Sequence, residues 1–298
     1  IPFSELETQI VKEFVESHDF PIALNYHSYS NLLIYPYGYD PSIPVPQNDL
    51  DIFIEYGEIM TQYNNYLLGT GIETVGYTVN GEACDWMYGE HGIFAYTPEI
   101  GNQADGFWPA TIRIIPLAEE NLFHNKFVAW AVGAYYSIDF SIEEGPYAAG
   151  NTYGTNLSIF NQGLGDSNGS LSLSVDSSDD YLFFNTEFVE VGNLESRMSI
   201  DLGDILTFQV LETAPNGTLT DFTIHVFDED GYNYSTTIEI IIGESESIFS
   251  YDFEENNGWT IGDDDDDATA GIWELAIPEA TSFDGNQAQP GEDLSEEG

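Results

Sequence analysis

Neutral imidazole is the commonest protein ligand for transition metals, so the five histidines come first: His18, His27, His91, His124 and His225. None opens an H-x-x-E or H-E-x-x-H pattern, the helical spacing that sets two ligands on one face. Only His225-Val226-Phe227-Asp228 puts two ligand types three apart, in a run that reads as a strand. Residues three apart on a strand face opposite sides, so this pair makes no site. Cys84 is the only cysteine, which excludes an internal disulfide and a Cys-rich zinc site. By composition the 298 residues hold no complete zinc site.

His27 differs from the rest in its setting. It ends the short apolar run from Ala23 to Tyr26 and precedes Ser28-Tyr29-Ser30-Asn31. A second apolar run, Leu32-Leu33-Ile34-Tyr35, then leads into a Pro36-Tyr37-Gly38 turn. Strand, polar edge, strand, turn is how a sheet delivers a side chain to a cleft. Taken alone, His27 reads as a hydrogen-bonded strand-end histidine and Glu99 as a solvated strand-end acid. Tyr77 is one of 19 tyrosines, and Cys84 a small buried hydrophobe. Trp86 and Trp108 read as core or pocket wall.

Order and spacing change these readings. His27-Ser28-Tyr29-Ser30 followed by Leu32-Leu33-Ile34-Tyr35-Pro36-Tyr37-Gly38-Tyr39 resembles the stretch around the third zinc ligand of the zinc metallocarboxypeptidases, the carboxypeptidase A/B/T family. Downstream, Tyr77, Gly81, Asp85-Trp86 and Thr97-Pro98-Glu99-Ile100 resemble that family's mobile tyrosine, specificity-loop region and catalytic glutamate. Asp85-Trp86-Met87-Tyr88-Gly89 is most similar to the bacterial carboxypeptidase T-like branch. The resemblance covers roughly residues 1–137 and implies the C-terminal half of a catalytic domain.

It also implies roles. His27 would be the third ligand of a catalytic Zn²⁺, whose open position generates a nucleophilic water near neutral pH. Glu99 would take that water's proton and deliver it to the leaving amine. Tyr77 would close over the substrate, and Ser28 and Tyr29 would line its path. Cys84 falls where the family sets side-chain preference, and a neutral thiol there argues against a direct carboxylate selecting Lys or Arg. The family's H-x-x-E zinc ligands and its carboxylate-binding and transition-state-stabilising arginines have no counterpart. The only arginines are Arg113 and Arg197, and neither sits in a matching motif. Exopeptidases need a cation for the terminal carboxylate and the developing oxyanion, so this chain by itself is expected to be inactive.

The elements that must position these residues can be read in order. Ser4-Glu5-Leu6-Glu7 has capping-box form, and Leu6, Ile10, Val11, Phe14 and Val15 keep helical spacing. A strand over 22–26 leads to His27. A helix begins near Asn48, with Leu50, Phe53, Ile54 and Met60 inward. A short helix spans 82–91, a strand over 93–100 carries Glu99, and Pro116 opens one long helix with Leu117, Leu122, Phe127, Val128 and Ala131 at core spacing. From about residue 138 the pattern becomes short alternating runs separated by Gly, Asn, Ser and Asp turns. These are 155–160, 171–175, 183–189, 198–202, 206–211, 222–227 and 236–242. Some seven short strands at this spacing predict an immunoglobulin-like β-sandwich. The fold class expected is α/β: a partial mixed-sheet domain over 1–137, an all-β sandwich over 138–243, and the start of a truncated acidic β-rich module over 244–298. Neither terminus has the pattern of a natural end, so the chain reads as an internal fragment.

Charge bounds the partners. The chain has 53 Asp+Glu against 4 Lys+Arg, a formal net charge of -49. Nothing could neutralise phosphates, so nucleic acid and anionic membrane surfaces are excluded. No stretch is long and apolar enough to span a bilayer. Such a surface repels itself and is screened by salt, which suits a saline medium. Carboxylate clusters also suit Ca²⁺, and residues 263–267 are five consecutive aspartates, though without EF-hand spacing. That run, Trp273 and residues 289–293 resemble β-rich modules appended to secreted bacterial peptidases. The reading is a secreted or cell-surface zinc carboxypeptidase acting on peptide or protein substrates. Its rivals are a cell-surface binding protein with a decayed peptidase domain, and a relative acting on cell-wall peptides.

Overall fold

A computed structural model describes residues 2–243 except Asp230 and Tyr232, together with 280–283 and 286–289. The chain divides into two units, Ile1–Glu244 and Ser245–Gly298. Helix α1 (Leu6–Glu16) precedes strands β1 (Ile22–Leu24) and β2 (Leu32–Tyr35). Helix α2 (Gln47–Thr61), strand β3 (Leu67–Thr70), helices α3 (Gly71–Thr74) and α4 (Ala83–His91) and strand β4 (Phe94–Glu99) follow. The four strands form one mixed sheet in the order β1-β4-β2-β3. β1 runs parallel to β4, β2 antiparallel to β4, and β3 parallel to β2. All four residues of β2 are buried, as expected of a strand covered on both faces. Phe53, Tyr56 and Met60 of α2 pack on this sheet with Leu33, Tyr35 and Tyr96.

Two local expectations are corrected, the α1 cap and the helix from Pro116, and α1 buries little of its apolar stripe. The cap of α1 is Glu5 with no side-chain cap hydrogen bond, because Ser4 Oγ donates to the Glu5 carboxylate instead. The apolar stripe of α1 is not core: only Val15 is buried, while Leu6, Ile10, Val11 and Phe14 are exposed. The helix expected from Pro116 starts at Ile114 and breaks in two, α5 (Ile114–Glu120) and α6 (Leu122–Ala131). Pro116 sits in the first turn, where a missing N–H costs little. At the break, Asn121 Nδ2 donates to Leu117 O (2.9 Å) and Tyr66 Oη (3.0 Å), a side-chain competitor to the helical ladder.

Residues 136–241 form nine antiparallel strands: β5 (Tyr136–Ile142), β6 (Thr152–Asn161), β7 (Leu171–Ser177), β8 (Leu182–Phe184), β9 (Phe188–Gly192), β10 (Ser199–Gly203), β11 (Thr207–Val210), β12 (Leu219–Phe227) and β13 (Asn233–Ile241). One sheet has the order β10-β6-β11-β8, with β5 also on β6; the other is β13-β12-β7-β9. The run expected as one strand over 183–189 is two strands, one in each sheet, so the chain changes sheets there. Alternation carries the packing: Leu157 and Ile159 of β6, Leu173 of β7, Phe208 of β11, and Phe222 and Ile224 of β12 share one core. His225 points the other way and pairs with Asp176 at 2.8 Å, away from buried Asp228.

The sheets are tied to the mixed sheet's helices by polar contacts. Tyr56 Oη donates to Gln162 O (2.5 Å), Gln162 Nε2 donates to Glu55 Oε1 (3.1 Å), and Arg197 pairs with Glu55 while donating to Gln162 O (2.7 Å). Gly163 allows this approach, since a Cβ there would lie 2.0 Å from Gly133 O. In the second unit the described residues form one antiparallel hairpin, β14 (Thr281–Phe283) with β15 (Asn286–Gln289). The aspartate run 263–267 and Trp273 lie outside the described residues.

Candidate active site

His27 and Glu99 end up side by side because their strands do. β1 and β4 are parallel neighbours, and the pairing continues past β1 as a bridge between His27 and Glu99. His27 N–H donates to Pro98 O (2.9 Å) and Ile100 N–H to His27 O (3.0 Å). Both side chains thus leave the carboxyl ends of adjacent parallel strands, where ligands gather on open α/β sheets. His27 Nδ1 lies 3.9 Å from Glu99 Oε1, and its Nε2 faces the Asn25 amide at 3.1 Å. The His27 side chain is 51% exposed and that of Glu99 18%, so one is open to solvent while the other is largely withdrawn. Burial pushes the Glu99 carboxyl above the usual range; nearby His27 lowers it and Glu82 raises it further.

Beneath them lies a polar cluster from α4 and β4. Thr97 Oγ1 donates to Glu82 Oε1 (2.9 Å) and lies 3.0 Å from Cys84 Sγ. Burial pushes the Cys84 thiol up to about 12, so it stays neutral. Asp85 accepts from the Gly38 amide on both oxygens (3.0 and 3.1 Å) and from the Tyr39 amide (3.1 Å), which pins the Pro-Tyr-Gly corner onto α4. Val79 N–H donates to Gly38 O (2.9 Å), fixing the loop that follows Tyr77 to the same corner. Tyr77 itself is exposed and makes no side-chain hydrogen bond or ring contact among the described residues. Tyr29 packs edge-on against Phe107, with ring centroids 5.0 Å apart. Trp108 is 94% exposed, neither core nor pocket wall. Trp86 packs against Phe3 and His91.

The structure therefore joins His27 and Glu99, sets Cys84 beside Thr97 two residues from Glu99, and leaves Tyr77 on a loop. Sequence reasoning missed Glu82 and Thr97. Glu82 stands two residues before Cys84, and only the fold brings Thr97, fifteen residues on, against its carboxylate. Among the described residues no three His, Cys, Asp or Glu side chains come together to hold a metal ion. A catalytic zinc takes three protein ligands. His27 fits as one of them, an imidazole with one ring nitrogen held by an amide and the other facing a carboxylate.

The first 124 residues match the zinc carboxypeptidase family. Human mast cell carboxypeptidase A is 33% identical over 135 residues, 43% of this chain and 32% of the relative. Carboxypeptidase B of Astacus astacus is 33% identical over 143 residues, 46% of this chain and 47% of the relative. A solved structure of bovine thrombin-activatable fibrinolysis inhibitor, in complex with tick carboxypeptidase inhibitor, aligns with 23% identity and a TM-score of 0.39. That alignment covers 43% of this chain and 45% of that one. The chain spans about a third to a half of the length of these curated relatives.

Proposed function

We propose that residues 1–137 are the C-terminal half of a zinc carboxypeptidase catalytic domain that releases C-terminal residues from peptides or proteins. The observation that carries this is the His27–Glu99 pair at the ends of adjacent parallel strands, inside the segment that matches the family. His27 holds the metal through its ring. When bound, zinc supplies Lewis acidity toward the scissile carbonyl and acidifies water. Glu99 takes a proton on its carboxylate as water attacks and returns it to the leaving amine. Its withdrawal from solvent keeps it a stronger base than an exposed glutamate. Ser28 and Tyr29 flank the approach, and Tyr77, on its exposed loop, closes over the substrate.

The cations needed for the terminal carboxylate and the oxyanion come from outside this sequence. Arg113 is held bidentately by Asp105 (2.7 and 3.1 Å), and Arg197 is held by Glu55. The chain alone is therefore inactive. Residues 138–243 are an immunoglobulin-like sandwich, residues 244–298 belong to a further β-module, and the whole is secreted or cell-surface. Among the described residues, no helix is long and apolar enough to cross a membrane.

The test compares this chain with the full-length polypeptide that carries it. Full-length protein should bind zinc and release C-terminal residues. Glu99→Gln should keep the zinc and lose about 100-fold or more in kcat, and His27→Ala should lose the zinc. Zinc-loaded full-length protein that releases nothing sinks the reading, and zinc-dependent release by this chain alone sinks the claim of inactivity.

A further inference from the structure

Gly101, two residues beyond Glu99, is where separate segments of the chain meet out of solvent. Its carbonyl accepts from the Ser30 amide (2.8 Å) and the Asn31 amide (3.0 Å), just past Ser28 and Tyr29. The Leu67 amide donates to Asn31 O (3.0 Å), which brings the start of β3 to the same place. The buried Gly101 N–H has Tyr66 Oη as its one hydrogen-bond acceptor among the described residues (3.4 Å). Tyr66 is 4% exposed, and its oxygen also accepts from Asn121 Nδ2 (3.0 Å). Asn121 is 3% exposed and sits at the break between α5 and α6, where the same Nδ2 donates to Leu117 O (2.9 Å). The links therefore run from the helix break, through the phenol, to the loop after Glu99 and the loop after Tyr29.

The backbone at these loops needs such a hold. Asn31 has φ +56° and Gly101 φ +87°, left-handed conformations that persist where the surroundings fix them. Leu32 is the register partner of Glu99, so Asn31 and Gly101 continue the two paired strands to the edge of the site. Loss of the phenol would strand the buried Gly101 N–H, which costs more than the bond itself contributes, and the loops would shift to relieve it. A misplacement of about 1 Å at a reacting group costs about 100-fold in rate.

We propose that Tyr66, held by Asn121, is a positioning residue that sets, through Gly101, the placement of Glu99 and of Ser28 and Tyr29 against the substrate. This rests on the carboxypeptidase reading. Tyr66 acts only through the backbone it holds. The break at Asn121 then has a use: it turns a side-chain amide out of the helical ladder and onto the phenol.

The test compares Tyr66→Phe with Tyr153→Phe in the full-length enzyme. Tyr153 does the same job far from the site, accepting from the Ala148 amide (2.6 Å) and donating to Pro146 O (2.9 Å) in the sandwich. Both variants should lower the melting temperature and keep the zinc content of wild type. Only Tyr66→Phe should lose about tenfold in kcat per bound zinc and raise KM a few-fold. Asn121→Ala, which frees the phenol but leaves its link to Gly101, should lose about threefold in kcat. In this chain alone, hydrogen exchange at the Ser30, Asn31 and Gly101 amides should quicken about tenfold in Tyr66→Phe and stay unchanged in Tyr153→Phe. A purely structural role would leave kcat per bound zinc and KM at wild-type values. That result, equal kinetic losses in the two tyrosine variants, or unchanged exchange at Gly101 overturns this inference and leaves the carboxypeptidase reading standing. Release of no C-terminal residue by the wild type overturns both.

Discussion

At the scale of single residues, what decides behaviour is how each polar group is satisfied once buried. His124 is fully buried on α6, and Asn64 Nδ2 approaches its Nε2 at 2.9 Å. Burial lowers its pKa from the ordinary 6.5 to about 4, so the folded chain keeps it neutral. Between those two values the unfolded chain binds a proton that the folded chain does not. Stability is therefore lost as pH falls from about 6.5 toward 4, and the loss approaches about 3 kcal/mol. Urea titrations of wild type and His124→Asn across that range isolate this contribution from that of the many carboxylates. Their stability difference should shift with pH by most of that amount, and a pH-independent difference refutes the assignment. The site illustrates the same point about legibility. His27 and Glu99 taken alone read as ordinary strand-end residues, and it is the order and spacing they share with the carboxypeptidase motifs that singles them out. Glu82 and Thr97 do not stand out. Their pairing is a contact between a helix start and a strand, and no local pattern encodes it.

Elements were legible where their periodicity was unbroken and blurred where a side chain competed with the backbone. Strand β4, helix α4 and the start of α2 fall within a residue or two of their expected positions, because Pro46 precedes α2 and Gly92 separates α4 from β4. The break at Asn121 and the change of sheet between β8 and β9 depend on long-range partners, Tyr66 for one and Thr207 for the other. The α1 stripe shows a further limit: periodicity reveals an apolar face, but not what covers it. The junction between α2 and the antiparallel sheets was likewise invisible, since Glu55, Gln162 and Arg197 are far apart in sequence. Arg197 is 23% and Glu55 26% exposed, and the guanidinium also lies over the Phe160 ring at 4.8 Å. Removing one partner of a mostly buried, hydrogen-bonded pair strands the other. After allowance for residual solvent screening, Arg197→Ala should cost about 2 kcal/mol. Lys12→Ala, which breaks an exposed i,i+4 pair with Glu16, should cost no more than about 0.5 kcal/mol. Chemical denaturation of the two variants compares them directly. Equal losses would mean that the Arg197 junction contributes no more than a surface pair.

The whole molecule is governed by charge imbalance. With 53 acids and 4 Lys or Arg, every favourable ion pair is outweighed by repulsion among uncompensated carboxylates. Three of the four cations are already paired, with Glu16, Asp105 and Glu55, so the remaining acids have almost nothing of opposite sign to meet. Added monovalent salt shortens the Debye length from about 30 Å at 0.01 M to about 3 Å at 1 M, which removes most of this repulsion between exposed groups. The half-buried Arg197–Glu55 pair is screened far less, so salt withdraws little stabilisation while relieving much strain. The melting temperature should therefore rise steadily with NaCl between those concentrations. A chain stabilised chiefly by surface ion pairs would show the opposite slope. Calorimetric scans in NaCl and in an equal ionic strength of CaCl₂ separate screening from specific binding. Screening alone gives matching curves. A much larger rise in CaCl₂ would mean that carboxylates bind the divalent ion, and a flat or falling NaCl curve would show that self-repulsion does not set the stability of this chain.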